Sequence, residues 1–178
     1  MQLFTVPSIS TMMHGIAFGG GALLALFASL CLLYASGLAH PTGTIRMGPS
    51  RMVALLTTAA AVALWMTVIG GTYFVFPPYR VTPPEGVASL VTYPRAFVLA
   101  DPSTAWLHSF GMEIKEHVPW MVAMLATAVA FVATRHRERL WKDAELNRTV
   151  MAVLALCLTL VSFVSLLGVF VNKVAPVQ

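Results

Sequence analysis

Four long apolar stretches, set apart by shorter polar segments, dominate the hydrophobic pattern of this chain. They cover about residues 12–39, 52–76, 118–134 and 149–171, close to or above the ~20 apolar residues that cross a hydrocarbon core. None alternates polar with apolar positions, and all exceed the ~10 residues of a membrane barrel strand. In lipid a backbone must satisfy its own hydrogen bonds, so such runs predict helices. The predicted fold class is an all-α integral membrane protein: a four-helix transmembrane bundle, one membrane domain over residues 1–178. The first helix is expected to start near Ser10.

The connection 77–101 interrupts this regularity, being long for a compact bundle. Pro77-Pro78 is expected to end the second helix near Phe76, because proline forces extended backbone before it and lacks an amide hydrogen. The stretch from Val87 to Tyr93 is too short to span, which predicts a segment lying along the outer end of the bundle. Asp101 and Pro102 then suit the cap and first position of the third helix. From there the helical pattern runs to Thr134, roughly 50 Å at helical rise. That exceeds the hydrocarbon core, so the part before Val118 is expected to project or to bend at Pro119.

Composition sharpens the picture. With 58% hydrophobic and 10% charged residues, the chain lacks the polar surface of a soluble domain, in which about 25% of residues are charged. Basic residues set an orientation. Arg46, Arg51, Arg135, Arg137, Arg139, Lys142 and Arg148 fall in the two short loops, against Arg80, Arg95, Lys115 and Lys173 elsewhere. The loops are therefore expected in the cytoplasm and both termini outside it, as in a multi-pass protein of a bacterial inner membrane. The net charge of +4 then reads as a topology signal. A nucleic-acid footprint would need that charge gathered on an exposed domain. Residues 1–10 lack a basic region ahead of the first run, so no cleavable signal peptide is expected. Cys31 and Cys157 lie inside apolar runs and read as small hydrophobes.

Candidate chemistry clusters at one end. His14 and His117 both sit where a run first turns apolar, at matched depth under this topology. Two such imidazoles suit the axial pair of a b-type haem, as cofactor and metal ligands. Glu113 is one helical turn from His117 and could orient it, while Arg80, Arg95 and Lys115 are available for propionates or for a quinone headgroup. Gly15, Gly19, Gly20, Gly21, Gly70 and Gly71 fall at the same level, where glycine serves either close helix packing or clearance for a flat cofactor. His108 is expected outside the bilayer. His40 and His136 belong to the cytoplasmic edge.

Copper is the rival cofactor, since Met12, Met13 and Met112 near these histidines would supply soft ligands. No phosphate-binding loop, dinucleotide fingerprint, covalent-haem motif or nucleophile elbow occurs. Four spans, paired histidines and little mass outside the bilayer resemble, in architecture, the membrane-anchor cytochrome subunits of respiratory complexes. The sequence thus predicts a small membrane subunit of an electron-transport complex with a haem or quinone near the outer face. A cofactor-free scaffold or assembly subunit is the alternative. The partners expected are lipid and other subunits.

Overall fold

The computed structural model describes residues 5–39 and 47–176, apart from the side chains of residues 37–39, 47 and 48. The expectations for His40 and Arg46 fall outside the described residues. Helix α1 (Val6–Met12) passes through a π-helical segment, Met13–Gly20, into α2 (Gly21–Ala39). Helix α3 (Met47–Gly70) continues through a π-helical Gly71–Val75 into the short α4 (Phe76–Tyr79). Helix α5 (Pro94–Ala100) follows; a third π-helical segment, Leu107–Met112, then leads into α6 (Glu113–Arg135). Helices α7 (Arg137–Lys142) and α8 (Ala144–Val174) complete the chain, and no strand occurs among the described residues.

Four continuous rods result, Val6–Ser36, Pro49–Tyr79, Leu107–Arg135 and Ala144–Val174, each long and apolar enough to cross a membrane. At 29 to 31 residues each is about 45 Å long. The first starts earlier than expected: Thr5 caps it by accepting a hydrogen bond from the Ser8 amide at 3.2 Å, and Ser8 accepts from the Thr5 amide at 2.9 Å. The second runs on through Pro77-Pro78 to Tyr79, because both prolines occupy the first turn of α4, where an amide hydrogen is least needed. The third starts later than expected. The Asp101 carboxylate accepts from the Ser103 amide at 2.8 Å and Thr104 donates its hydroxyl to Val98 O at 2.8 Å, which folds this stretch into turns. Helix α6 passes unbroken through Pro119, and the irregularity expected there lies upstream, in the wide turn Leu107–Met112.

The rods pack as a ring in which α2 and α6 each touch both α3 and α8. The first and third rods are therefore diagonal to one another. The seam is built from small and medium residues at three- and four-residue spacing, such as Ala22, Ala25 and Ser29, or Val122, Ala126 and Val129. Buried Ser29 and Thr57 donate their hydroxyls to Ala25 O and Val53 O, one turn back. Large apolar side chains such as Leu24, Phe27, Leu55, Phe131, Leu156 and Phe163 point outward. That distribution suits a hydrocarbon surround. It is the reverse of a water-soluble bundle.

Each end of the ring is closed differently. At the end carrying both termini, a second cluster joins Tyr79, Val98, Leu107, Met112, Val171 and Ala175. Val98 of α5 is fully buried, so the connection 80–106 folds over this end. Gly86, at φ 77°, makes the turn that a side chain would strain. At the other end, the loop end, Leu140 anchors α7, and the Asp143 carboxylate caps α8 by accepting from the Glu145 and Leu146 amides at 3.1 Å each.

Candidate functional site

The three π-helical segments all lie toward the termini end. Wide turns of this kind are rare and recur at functional sites. The first carries His14 and the second opens at Gly71. His14 Nδ1 donates to the Thr67 carbonyl at 2.8 Å. A carbonyl can only accept, so this bond fixes the proton on Nδ1 and leaves Nε2 without one in the neutral ring. The ring seats directly on Gly71: a Cβ there would stand 2.7 Å from Cε1, 3.3 Å from Nδ1 and 3.4 Å from Nε2. Gly71 is thus the clearance for this imidazole. Gly15, Gly20 and Gly21 have open space where a side chain would be, while Gly19 lies against the carbonyl of His14.

Lys115 completes the arrangement. Its Nζ lies over Gly168, where a Cβ would come within 2.8 Å, and the ammonium is near enough to act electrostatically on His14. Lys115 has no hydrogen bond and no ion pair among the described residues. The depths agree. His14, Gly71 and Lys115 each lie eight residues in from the rod ends at Val6, Tyr79 and Leu107, and Gly168 lies six in from Val174. At helical rise that is about 9–12 Å. All four rods therefore contribute at one level: an imidazole, its glycine seat, an ammonium and its glycine seat.

Above this level is a second polar group. Tyr79 is buried, and its hydroxyl shares a 3.1 Å hydrogen bond with His108 Nδ1. The two rings sit 5.9 Å apart. Arg95 of α5 and Glu116 of α6 act electrostatically on both. Arg80, which also acts on His108, stacks over Phe76, 5.2 Å from the ring centroid. Of the residues expected to meet a propionate or headgroup, Lys115 lies in the interior, Arg95 beside the Tyr79–His108 pair and Arg80 on the aromatic cap.

His117 and Glu113 lie elsewhere. The His117 side chain is 75% exposed and that of Glu113 67%, so both face away from the ring interior. His117 Nδ1 donates to the backbone carbonyl of Glu113 at 2.8 Å, while the Glu113 carboxylate is 3.9 Å away. The main chain, rather than the carboxylate, orients this imidazole. His14 and His117 are thus not brought onto one surface. Their depths match, but the rods are diagonal and His117 turns outward. Met12 and Met13 are exposed on the first rod, whereas Met112 is buried in the end cluster. No group of three or more His, Cys, Asp or Glu side chains that could hold a metal occurs among the described residues.

Sequence reasoning passed over Thr67, Tyr79 and Gly168. The lone glycine of α8, at a depth close to that of the lone lysine of α6, was the signal for Gly168. Thr67 acts through its carbonyl, which carries no side-chain signature. Comparison with protein-family models, characterised proteins and solved structures returns no match.

Proposed function

We propose that this chain is a multi-pass subunit of a membrane electron-transport complex, and that His14 and Lys115 serve a quinone headgroup in the termini-end half of the bundle. The carrying observation is Lys115, which enters no ion pair among the described residues, at the level where all four rods contribute. An ionisable side chain inside a membrane bundle is costly and is kept for function by default. A quinone is an apolar, membrane-dissolved substrate whose two carbonyl oxygens accept hydrogen bonds and become negative on reduction. The Lys115 ammonium is the donor that such an oxygen needs, and His14 Nε2, which carries no proton in the neutral ring, can accept from the hydroxyl of the reduced form. Two electrons from a redox centre in a partner subunit and two protons would convert quinone to quinol, with Lys115 donating to one oxygen and His14 Nε2 accepting from the hydroxyl formed at the other. The basic loop end would face the cytoplasm of a bacterial cell, with the site toward the outer face.

A b-type haem is the second reading, and one observation favours it. Both His14 and His117 donate Nδ1 to a backbone carbonyl, the arrangement that frees Nε2 for a metal. Because His117 faces outward, its haem would lie between this chain and a partner. Binding of a short-chain benzoquinone to the purified protein, followed by difference spectroscopy, tests the first reading. Saturable quinone binding weakened roughly tenfold by Lys115→Met supports it, as expected for losing a hydrogen bond from a charged donor, while His14→Gln should weaken binding of the quinol form. A quinone-silent protein with a sharp reduced α-band would favour haem, and silence in both would favour a cofactor-free scaffold.

A further inference from the structure

At the loop end, a groove of about 460 Å³ runs between the first and fourth rods, lined by Leu30, Cys31, Tyr34, Met151, Ala152 and Ala155. Its lining is almost wholly apolar. Arg148 stands three residues before Met151, four before Ala152 and seven before Ala155. These spacings put it on the same face of α8, one turn closer to the loop end. The Arg148 guanidinium donates Nε to Ala144 O at 3.3 Å. The side chain is exposed and enters no ion pair among the described residues. Its neighbours Arg139 and Lys142, by contrast, are matched with Asp143 and Glu138 at 3.5 and 3.8 Å. An apolar trough with a cation at its polar mouth that enters no ion pair among the described residues has the form of a phospholipid: a chain in the trough and a phosphate at the rim.

We infer that this groove is a binding site for an anionic phospholipid, with one acyl chain between Leu30 and Ala155 and the headgroup phosphate on Arg148. The inference rests on residence of the bundle in a bilayer and is independent of the quinone proposal. The small Ala152 and Ala155 make the trough, and a larger side chain there would fill it. Arg148 selects for charge, since a guanidinium binds a phosphate oxygen pair in a planar fork.

Native mass spectrometry of the full chain in detergent, titrated with phosphatidylglycerol and with phosphatidylcholine, tests this. The expected result is preferential retention of phosphatidylglycerol by the wild type and about fivefold weaker retention by Arg148→Gln, the effect of one basic residue at an anionic headgroup. Arg139→Gln should retain lipid as the wild type does. Ala155→Phe should lose both lipids while keeping the helical content and melting temperature of the wild type. Equal retention of the two lipids, or an Arg148→Gln variant that binds as the wild type does, overturns the assignment. So does a lipid-free dimer that Ala155→Phe dissociates, which would make the groove a contact between copies.

Discussion

The His14 imidazole rests on the backbone of Gly71, where a Cβ would come within 2.7 Å of Cε1. Helix packing alone would not demand a glycine at this position. A half-buried, hydrogen-bonded ring that crosses from the first rod to the second does.

Gly71→Ala should therefore displace His14 and destabilise the bundle by about 1–3 kcal/mol, the usual cost of overpacking. Gly70→Ala should be milder, since its Cβ would stand 4.0 Å from Nδ1. Combining Gly71→Ala with His14→Ala removes the clash, so the double variant should be more stable than the two single losses together predict. Thermal unfolding in detergent reads the cycle. Strict additivity would show that the two residues do not meet.

The two histidines should behave differently. His117→Ala removes a side chain that is 75% exposed and should change stability by no more than about 0.5 kcal/mol. His14→Ala leaves the Thr67 carbonyl without its 2.8 Å donor and should cost about 1–3 kcal/mol. Equal melting temperatures for the two variants would contradict this placement.

The seam between the second and third rods holds one side-chain pair worth testing. Trp65 Nε1 donates to Thr127 Oγ1 at 2.9 Å, and its ring meets Trp120 edge-on at 5.9 Å between centroids. Thr127→Val should cost about 0.6 kcal/mol, the average for hydrogen bonds between membrane helices. Trp65→Phe in the same background should then cost less than it does alone. An unchanged cost would show that the indole is not held by Thr127.

Asp143 gives the loop end a pH dependence. The Leu146 amide foremost, with the Glu145 amide and the Arg139 side chain, holds its carboxyl below the ordinary 3.8. A lowered folded value means that the stabilisation is complete above the ordinary value and fades as pH falls through the lowered one. Hydrogen-exchange protection in the first turn of α8, relative to an unstructured peptide at the same pH, should therefore fall below about pH 4 in the wild type. Asp143→Asn, which keeps a cap without the charge, should show no such loss of protection. Identical pH profiles would remove the carboxylate from the account.

Much of this architecture is legible in the pattern of apolar runs, because a helix in hydrocarbon leaves a long and unmistakable stretch. The boundaries were harder to read. Thr5 and Ser8 cap each other before the apolar run begins, and Pro77-Pro78 escapes its usual effect by falling in the first turn after a π-helical segment. The candidate site is half legible. His14, Lys115 and the glycine level stand out because polar and helix-costly residues are rare in such runs. The partner of His14 did not, because matched depth says nothing about azimuth. Lys115 and His117 stand two residues apart in α6, on opposite faces of the helix, so only one can face the ring interior, and tertiary packing alone shows that it is Lys115.

Orientation in the membrane has its own test. In a background with Cys31→Ala and Cys157→Ala, Ser103→Cys should react with an impermeant thiol reagent on intact cells, and Arg137→Cys should react only after lysis. The reverse pattern would move the site to the cytoplasmic half.

The most direct test of the proposed site is the quinone content of the protein isolated in mild detergent, extracted with organic solvent and quantified against protein. The wild type should carry quinone in a fixed ratio, and Lys115→Met, which keeps the length and apolar stem of the side chain, should carry roughly tenfold less at an unchanged melting temperature. A stable wild type free of quinone, or equal amounts in both proteins, would contradict the proposal.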